Sequence, residues 1–310
     1  MSYTNGPDIY ERVTAGIISA LEAGVQAGDY SCPWNRVKAS VGGTSALPVN
    51  LASHRVYRGV NVPILWCAAQ AAGYDTQVWG TFKQWQDVGA VVRKGEKATH
   101  IVFWKPIEVS KGADAGADSE EGAGTKTVML ARGYCVFNVS QVDGYAPKAS
   151  AVASTSEAER IDDAETFFRN TGAVIRHGQA GAWYVPSQDY VGMPDFDTFK
   201  SPTHYYHTLA HELVHWTGHK DRLARDFSGR FGDSAYAAEE LVADIGAAMV
   251  TAGLGLSNPD EPRRDRAGYV KGWLDILRGD KRAIFTAAAQ SQRAADYLAG
   301  LQAQTVAIAA

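Results

Sequence analysis

His211-Glu212-Leu213-Val214-His215 is the stretch from which the rest of the chain can be read. It has the form H-E-x-x-H. On a helix, residues four apart lie one turn above each other, so both imidazoles point to one side. Two neutral imidazoles at that spacing can share one Zn²⁺. The carboxylate beside the first, Glu212, can then serve as general base toward a water that the metal acidifies. With 8 His and 13 Glu in 310 residues, a shuffled chain would hold this pattern about 0.01 times. The competing reading is an amphipathic helix with histidines along its edge. The residues downstream of the motif favour the metal.

Two histidines leave Zn²⁺ short of a third protein ligand. His219 follows His215 by four residues, and Asp221 by six, the offset of a metzincin third ligand. A distal candidate is Ala238-Glu239-Glu240-Leu241-Val242-Ala243-Asp244. A glutamate followed four residues later by an aspartate, on a helix after H-E-x-x-H, is the gluzincin arrangement: the glutamate binds zinc and the aspartate orients a ligand histidine. Glu240 and Asp244 fit that pair, whereas Glu239 would place Ala243 at the second position. Glu240 is therefore preferred, with Glu239, Asp221 and His219 as alternatives. His207, His211, His215 and His219 recur every four residues, but such a row drifts about 40° per step. All four cannot face one ion, so His207 and His219 read as supporting the ligands, facing the substrate or structural. Tyr236 could donate to an oxyanion if it faced the cleft; core packing is its other reading.

Outward from this centre the chain alternates helical and extended patterns. Ser201-Pro202 is a helix start, Ser as N-cap and Pro in the first turn, and Gly218 a stop. Helices are expected over residues 8–23 (ended by Gly24), 63–72, from 82, 157–171, 240–250, 268–278 and 283–301. Strands are expected at 91–92, 101–105, 128–137, 173–177 and 182–186. Residues 110–125, rich in Gly, Ala, Ser and acids, read as a flexible hairpin loop, and 146–156 as a linker. The expected architecture is α+β in two domains, 1–145 and 157–310, each with its own core.

The hydrophobic fraction of 45% and charged fraction of 21% are those of a soluble protein. Cys32, Cys67 and Cys135 are far apart, with no C-x-x-C. That argues against a disulfide framework and a cysteine metal site and fits a reducing cytoplasm. No apolar run reaches membrane-spanning length, and the first residues, Met1-Ser2-Tyr3-Thr4-Asn5-Gly6-Pro7, lack the pattern of a secretory signal. Charge is unevenly placed. Residues 34–105 carry +6 in a chain of net −4. Trp34, Tyr57, Trp66, Tyr74, Trp79, Phe82, Trp85, Phe103 and Trp104 are interleaved with those cations. Cations for phosphates and rings for unpaired bases suit single-stranded nucleic acid. Trp34, Arg36, Arg55, Tyr57, Arg58, Lys83, Arg93, Lys94 and Lys97 are the candidate contacts; the alternative is core rings beneath a solvated charged face.

Pro33-Trp34-Asn35, Pro48-Val49-Asn50, Tyr57-Arg58-Gly59-Val60-Asn61, Thr81-Phe82-Lys83-Gln84, Val92-Arg93-Lys94-Gly95-Glu96-Lys97 and Val136-Phe137-Asn138 occur together in the first half. The second half adds His211-Glu212-Leu213-Val214-His215-Trp216-Thr217-Gly218-His219, Glu239-Glu240-Leu241-Val242-Ala243, Asp280-Lys281-Arg282-Ala283-Ile284-Phe285 and Ala295-Asp296-Tyr297-Leu298. With these, nearly the whole chain resembles the ArdC-type antirestriction proteins of conjugative plasmids, related to plasmid primase TraC. The resemblance implies an N-terminal single-stranded-DNA-binding domain and a C-terminal zincin-like metallopeptidase domain that help an incoming plasmid survive host restriction. Zn²⁺, or another divalent metal, is the implied cofactor, and a host restriction or defence protein is a candidate peptide substrate. The rival reading is a DNA-binding shield whose metal is structural or regulatory. A two-metal nuclease would need a carboxylate cluster that the sequence does not display.

Overall fold

The computed structural model describes residues 8–28, 32–35, 46–110, 125–145, 157–226, 233–256 and 267–308. Arg36, most of the expected hairpin loop (111–124) and the expected linker 146–156 lie outside them. The first half contains α1 (Ile9–Gln26), β1 (Val49–Asn50), α2 (Asn61–Ala72), β2 (Val78–Gly80), α3 (Phe82–Asp87), β3 (Val91–Val92), β4 (Thr99–Ser110), β5 (Thr125–Asn138) and β6 (Val142–Asp143). The second contains α4 (Glu157–Asn170), β7 (Val174–Arg176), β8 (Trp183–Val185), β9 (Tyr190–Gly192), α5 (Pro202–Thr217), α6 (Ser234–Gly253), α7 (Ala267–Gly279) and α8 (Ala283–Ile308). The architecture is α+β in two domains.

In the first half, strands pair in the order β1-β2-β5-β4, β1 parallel to β2 and the others antiparallel. The β4–β5 ladder runs in unbroken register from Thr99↔Val136 to Ser110↔Thr125. α3 is short and fixed at its start by a reciprocal capping box, Thr81 Oγ1 accepting from Gln84 N–H and Gln84 Oε1 from Thr81 N–H. Asp8 caps α1 as its side chain accepts from Tyr10 N–H. α1 does not stop at Gly24 but continues to Gln26. Leu21 and Val25 keep packing across the glycine, which outweighs the ~1 kcal/mol that a helical glycine costs. Gly28, at φ +71°, follows the helix end.

In the second half, β7, β9 and β8 form a small sheet in that order, β7 parallel to β9 and β8 antiparallel to it. β9 has no counterpart among the expected strands. Beside the sheet, α5 crosses α6 closely. Gly246 permits the approach: a Cβ there would lie 2.9 Å from Val214 Cγ2.

The main apolar core does not respect the division into halves. Val13, Ile17 and Leu21 of α1, with Trp34 and Trp66, belong to one cluster with Leu241, Ile245, Val270, Leu274, Leu277 and Ile284. Polar contacts fasten the same seam. Lys281 Nζ lies 3.1 Å from Asp8 and 2.8 Å from Glu11, Arg278 lies 2.7 Å from Glu22, and Thr14 Oγ1 donates to the Lys281 carbonyl at 2.8 Å. Arg58 pairs with Asp296. Among the described residues, no helix is long and apolar enough to cross a membrane.

Candidate metal centre

α5 begins as its sequence dictates. Ser201 accepts from the His204 N–H, Pro202 occupies the first turn, and Gly218 follows the last residue. The helix places His211 and His215 on one face, with their Nε2 atoms 3.2 Å apart. α6, capped by Asp233, brings Glu240 to the same point. Its Oε2 lies 3.4 Å from His211 Nε2 and its Oε1 3.5 Å from His215 Nε2. One atom each from His211, His215 and Glu240 fall within 4.8 Å of one another, the one group of three His, Cys, Asp or Glu so arranged among the described residues. Two imidazole nitrogens and a carboxylate oxygen form a donor set suited to a divalent transition metal. The three side chains are only 19%, 12% and 12% exposed.

The alternatives for the third ligand are placed elsewhere. Asp221 is exposed and pairs with His219 Nδ1 at 3.4 Å. Glu239 faces the far side of His215, with Oε1 3.0 Å from Nδ1. Arg225 holds that carboxylate with its Nε and a terminal nitrogen, and another of its terminal nitrogens donates to Thr217 Oγ1 at 2.9 Å. Glu239 is thus the partner that fixes the ring of His215. Asp244 accepts a 2.6 Å hydrogen bond from the indole Nε1 of Trp34.

Charge shapes the centre. Burial depresses the basicity of His215, but hydrogen bonds to Glu239 and Glu240 and the nearby charge of Glu212 outweigh it and raise its pKa to about 10. Burial would raise Glu240, but His211 and His215 hold it well below the usual carboxylate range. A cavity of about 550 Å³ opens over the centre, and Glu212, His207, Tyr236, Asp244 and Tyr269 are among its lining residues. Glu212 is buried at 7% exposure. Tyr236 faces this cavity, with its hydroxyl 3.4 Å from that of Tyr269. Burial first, then Tyr269 and Glu240, push its phenol well above the ordinary value, so it stays a donor. His207 is buried in the cavity wall, outside the ligand cluster.

The nucleic-acid candidates among the described residues differ in exposure. Trp34 is fully buried in the shared core, so it cannot stack on a base; its ring packs 6.2 Å from that of Trp273. Tyr57 is part-buried, its hydroxyl accepting from Asn50 Nδ2. Arg58, Lys83 and Arg93 are exposed but ion-paired, with Asp296, Asp87, and both Glu96 and Asp143. Arg55, Lys94 and Lys97 are exposed.

Residues 162–290 match the family model of a zincin-like metallopeptidase, and residues 7–137 match that of the N-terminal domain of anti-restriction factor ArdC. The fold and its histidine centre therefore define a protein that joins an ArdC-type N-terminal domain to a zincin-like domain. The chain is similar over almost its whole length to the crystal structure of antirestriction ArdC protein from plasmid R388. The metal-free form superposes with a TM-score of 0.74 at 38% identity, covering 96% of this chain and 99% of that one. The Mn(II)-bound form superposes at 0.71 and 36%, covering 95% and 98%. An uncharacterized Sinorhizobium fredii protein, y4eC, is 48% identical over 291 residues, 94% of this chain and 91% of that protein. Escherichia coli DNA primase TraC is 34% identical over 307 residues, which are 96% of this chain but 27% of the primase. The chain belongs to the ArdC family of antirestriction proteins.

Proposed function

We propose that this protein is a cytoplasmic antirestriction factor that binds single-stranded DNA through its first domain and carries a metallopeptidase centre in its second. In this reading His211, His215 and Glu240 hold the metal, zinc or another divalent cation, and Glu212 is the general base. The observation that carries the reading is the convergence of those three ligand atoms within 4.8 Å, beneath a cavity that Glu212 also lines. Bound there, a divalent cation supplies Lewis acidity to a scissile carbonyl and to water.

The chain's own residues supply the rest. Glu212 takes the proton of the attacking water and returns it to the leaving amine. The phenol of Tyr236 donates a hydrogen bond to the oxyanion that develops on the carbonyl. Glu239, clamped by Arg225, keeps the second imidazole of the motif oriented. Asp244, behind Glu240 on α6, ties the centre to the first domain through Trp34. Support for the DNA half comes from the ArdC-type domain match and the likeness to a DNA primase. A host restriction or defence protein brought close by DNA is the peptide substrate in this reading.

The test compares wild type with Glu212→Gln for protection of incoming plasmid DNA in a restricting host, once both are shown to bind metal equally. A sharp fall in protection supports a catalytic centre. Unchanged protection shows that DNA occupancy suffices and that the metal has a structural or regulatory part.

A further inference from the structure

The β4–β5 ribbon has one backed face and one open face. Directly paired residues share a face, so the register puts Ile101, Phe103, Lys105, Leu130, Arg132 and Tyr134 on one side. Trp104 and Gly133 lie on the other. That other side is partly covered by α1 and α8: Trp104 keeps 39% exposure, but its ring lies 6.2 Å from Tyr10 and 6.4 Å from Phe285, and a Cβ on Gly133 would come within 3.2 Å of Ile9. On the first side, Ile101 is buried against Leu65, Ala69 and Trp79. Beyond it the ribbon runs into solvent. Phe103 is 62% exposed, Tyr134 45% and Leu130 40%.

Three features define what fits this open face. Phe103 and Tyr134 stand 6.0 Å apart and edge to face, at 77°. Lys105 lies opposite Leu130, and Arg132 lies opposite Phe103, so two exposed cations flank the rings. No Asp or Glu shares this face among the residues from Thr99 to Lys105 and Leu130 to Val136. An exposed aromatic pair carries a cost in water that a ligand can relieve. Rings take the faces of unpaired bases and flanking cations take phosphates. A duplex hides its base faces in its own stack, so the complement of this surface is a single strand.

We propose that the outer face of the β4–β5 ribbon, with Phe103 and Tyr134 as stacking platform and Lys105 and Arg132 as phosphate contacts, is where this protein seats single-stranded DNA. This rests on the reading of the first domain as DNA-binding and replaces Trp34 with rings that solvent can reach. Half of the face, Leu130, Arg132 and Tyr134, lies after the basic cluster that the sequence singles out, on a strand whose exposure only the packing of α1, α2 and α8 decides.

The test is fluorescence anisotropy of the full chain with a labelled thymidine oligonucleotide across a salt series. Phe103→Ala and Tyr134→Ala are each expected to weaken binding about 5- to 100-fold, and Tyr134→Phe to retain it. The double variant Lys105→Ala/Arg132→Ala should flatten the slope of log affinity against log salt by about 1.4, about 0.7 for each phosphate contact. An abasic oligonucleotide of equal length needs no variant: wild type should bind it more weakly than the thymidine strand, by a factor in the range of the ring substitutions. If wild type binds the thymidine strand while both ring variants bind as tightly and the abasic strand binds equally well, this face is not the site, although the DNA reading stands. If wild type binds no single strand, both fall. Tighter binding to duplex than to single strand, or to a ribose strand than to its DNA counterpart, also overturns the proposal.

Discussion

Trp34 and Asp244, 210 residues apart in the chain, are joined by a 2.6 Å hydrogen bond from indole Nε1 to Oδ2. The tryptophan is fully buried and the aspartate 2% exposed, so the bond is shielded from solvent. Asp244 lies one turn from Glu240 on α6 and lines the same cavity. A residue of the first domain thereby bears on the wall of the metal centre in the second.

Trp34→Phe keeps a ring in the core and removes the donor. A buried hydrogen bond to a charged acceptor contributes about 1.5–3 kcal/mol, and thermal unfolding should show a loss of that order. Metal affinity, measured by competition with a chelating dye, should fall with it. A variant that matches wild type in both would show that the bond is idle.

Glu212→Gln should leave metal affinity near wild type, since both histidines and Glu240 remain. Peptide cleavage should drop about 10²- to 10⁴-fold, the usual contribution of a general base. Retained cleavage would assign the base to another residue.

Glu239→Gln should weaken metal binding about 10- to 100-fold, as removal of a carboxylate behind a ligand histidine does. It replaces the charge that Arg225 clamps and that His215 Nδ1 meets at 3.0 Å. Equal affinities would make Glu239 a purely structural anion.

The metal-free protein should have a defined pH response. His215 is raised in the fold to about 10 from its ordinary 6.5, so its contribution is full below 6.5 and is lost as pH climbs toward 10. Glu239 and Glu240 are depressed, so theirs is present above the ordinary carboxylate range near 4.5 and is lost as pH falls below it. Denaturation midpoints without metal should therefore peak between roughly pH 5 and 6.5. Binding a divalent ion requires neutral His215, so titration at pH 7 should release about one proton, seen as a buffer-dependent heat. No proton release would mean that the imidazole is already neutral.

Gly246→Val should force α5 and α6 apart, because even a Cβ comes within 2.9 Å of Val214. Overpacking of this kind costs about 1–3 kcal/mol. Because α6 carries Glu240 and α5 the histidines, metal affinity should fall together with the thermal midpoint. Val214→Ala, added in the same chain, should restore part of both.

The centre is legible in the sequence because local rules govern it. Helix period places His211 and His215, the Ser201 cap and Gly218 stop bound α5, and a second helix offers Glu240. The partner of His215 is not legible. Glu239 and Glu240 are adjacent, and which faces which nitrogen depends on the α5–α6 crossing at Gly246. Trp34 misleads for a related reason: a tryptophan among cations looks like a stacking ring until the helices that bury it, drawn from the other end of the chain, are in place. β9 escapes because Tyr190-Val191-Gly192 ends on a glycine, a residue that argues against a strand interior. The architecture follows from alternating patterns, but the common core does not, since α1 presents the same apolar stripe whichever partner covers it.

The seam between α1 and the helices α7 and α8 has a consequence for synthesis. α1 leaves the ribosome well before its partners, which run from Val270 to Phe285. At about 5–20 residues per second, the stripe of Val13, Ile17 and Leu21 waits on the order of 10–50 s for its cover. Through that interval the nascent first half exposes an apolar helix, and its maturation is tied to completion of the second. The protein is one cooperative translation product in which neither half reaches its final packing before the other has been made.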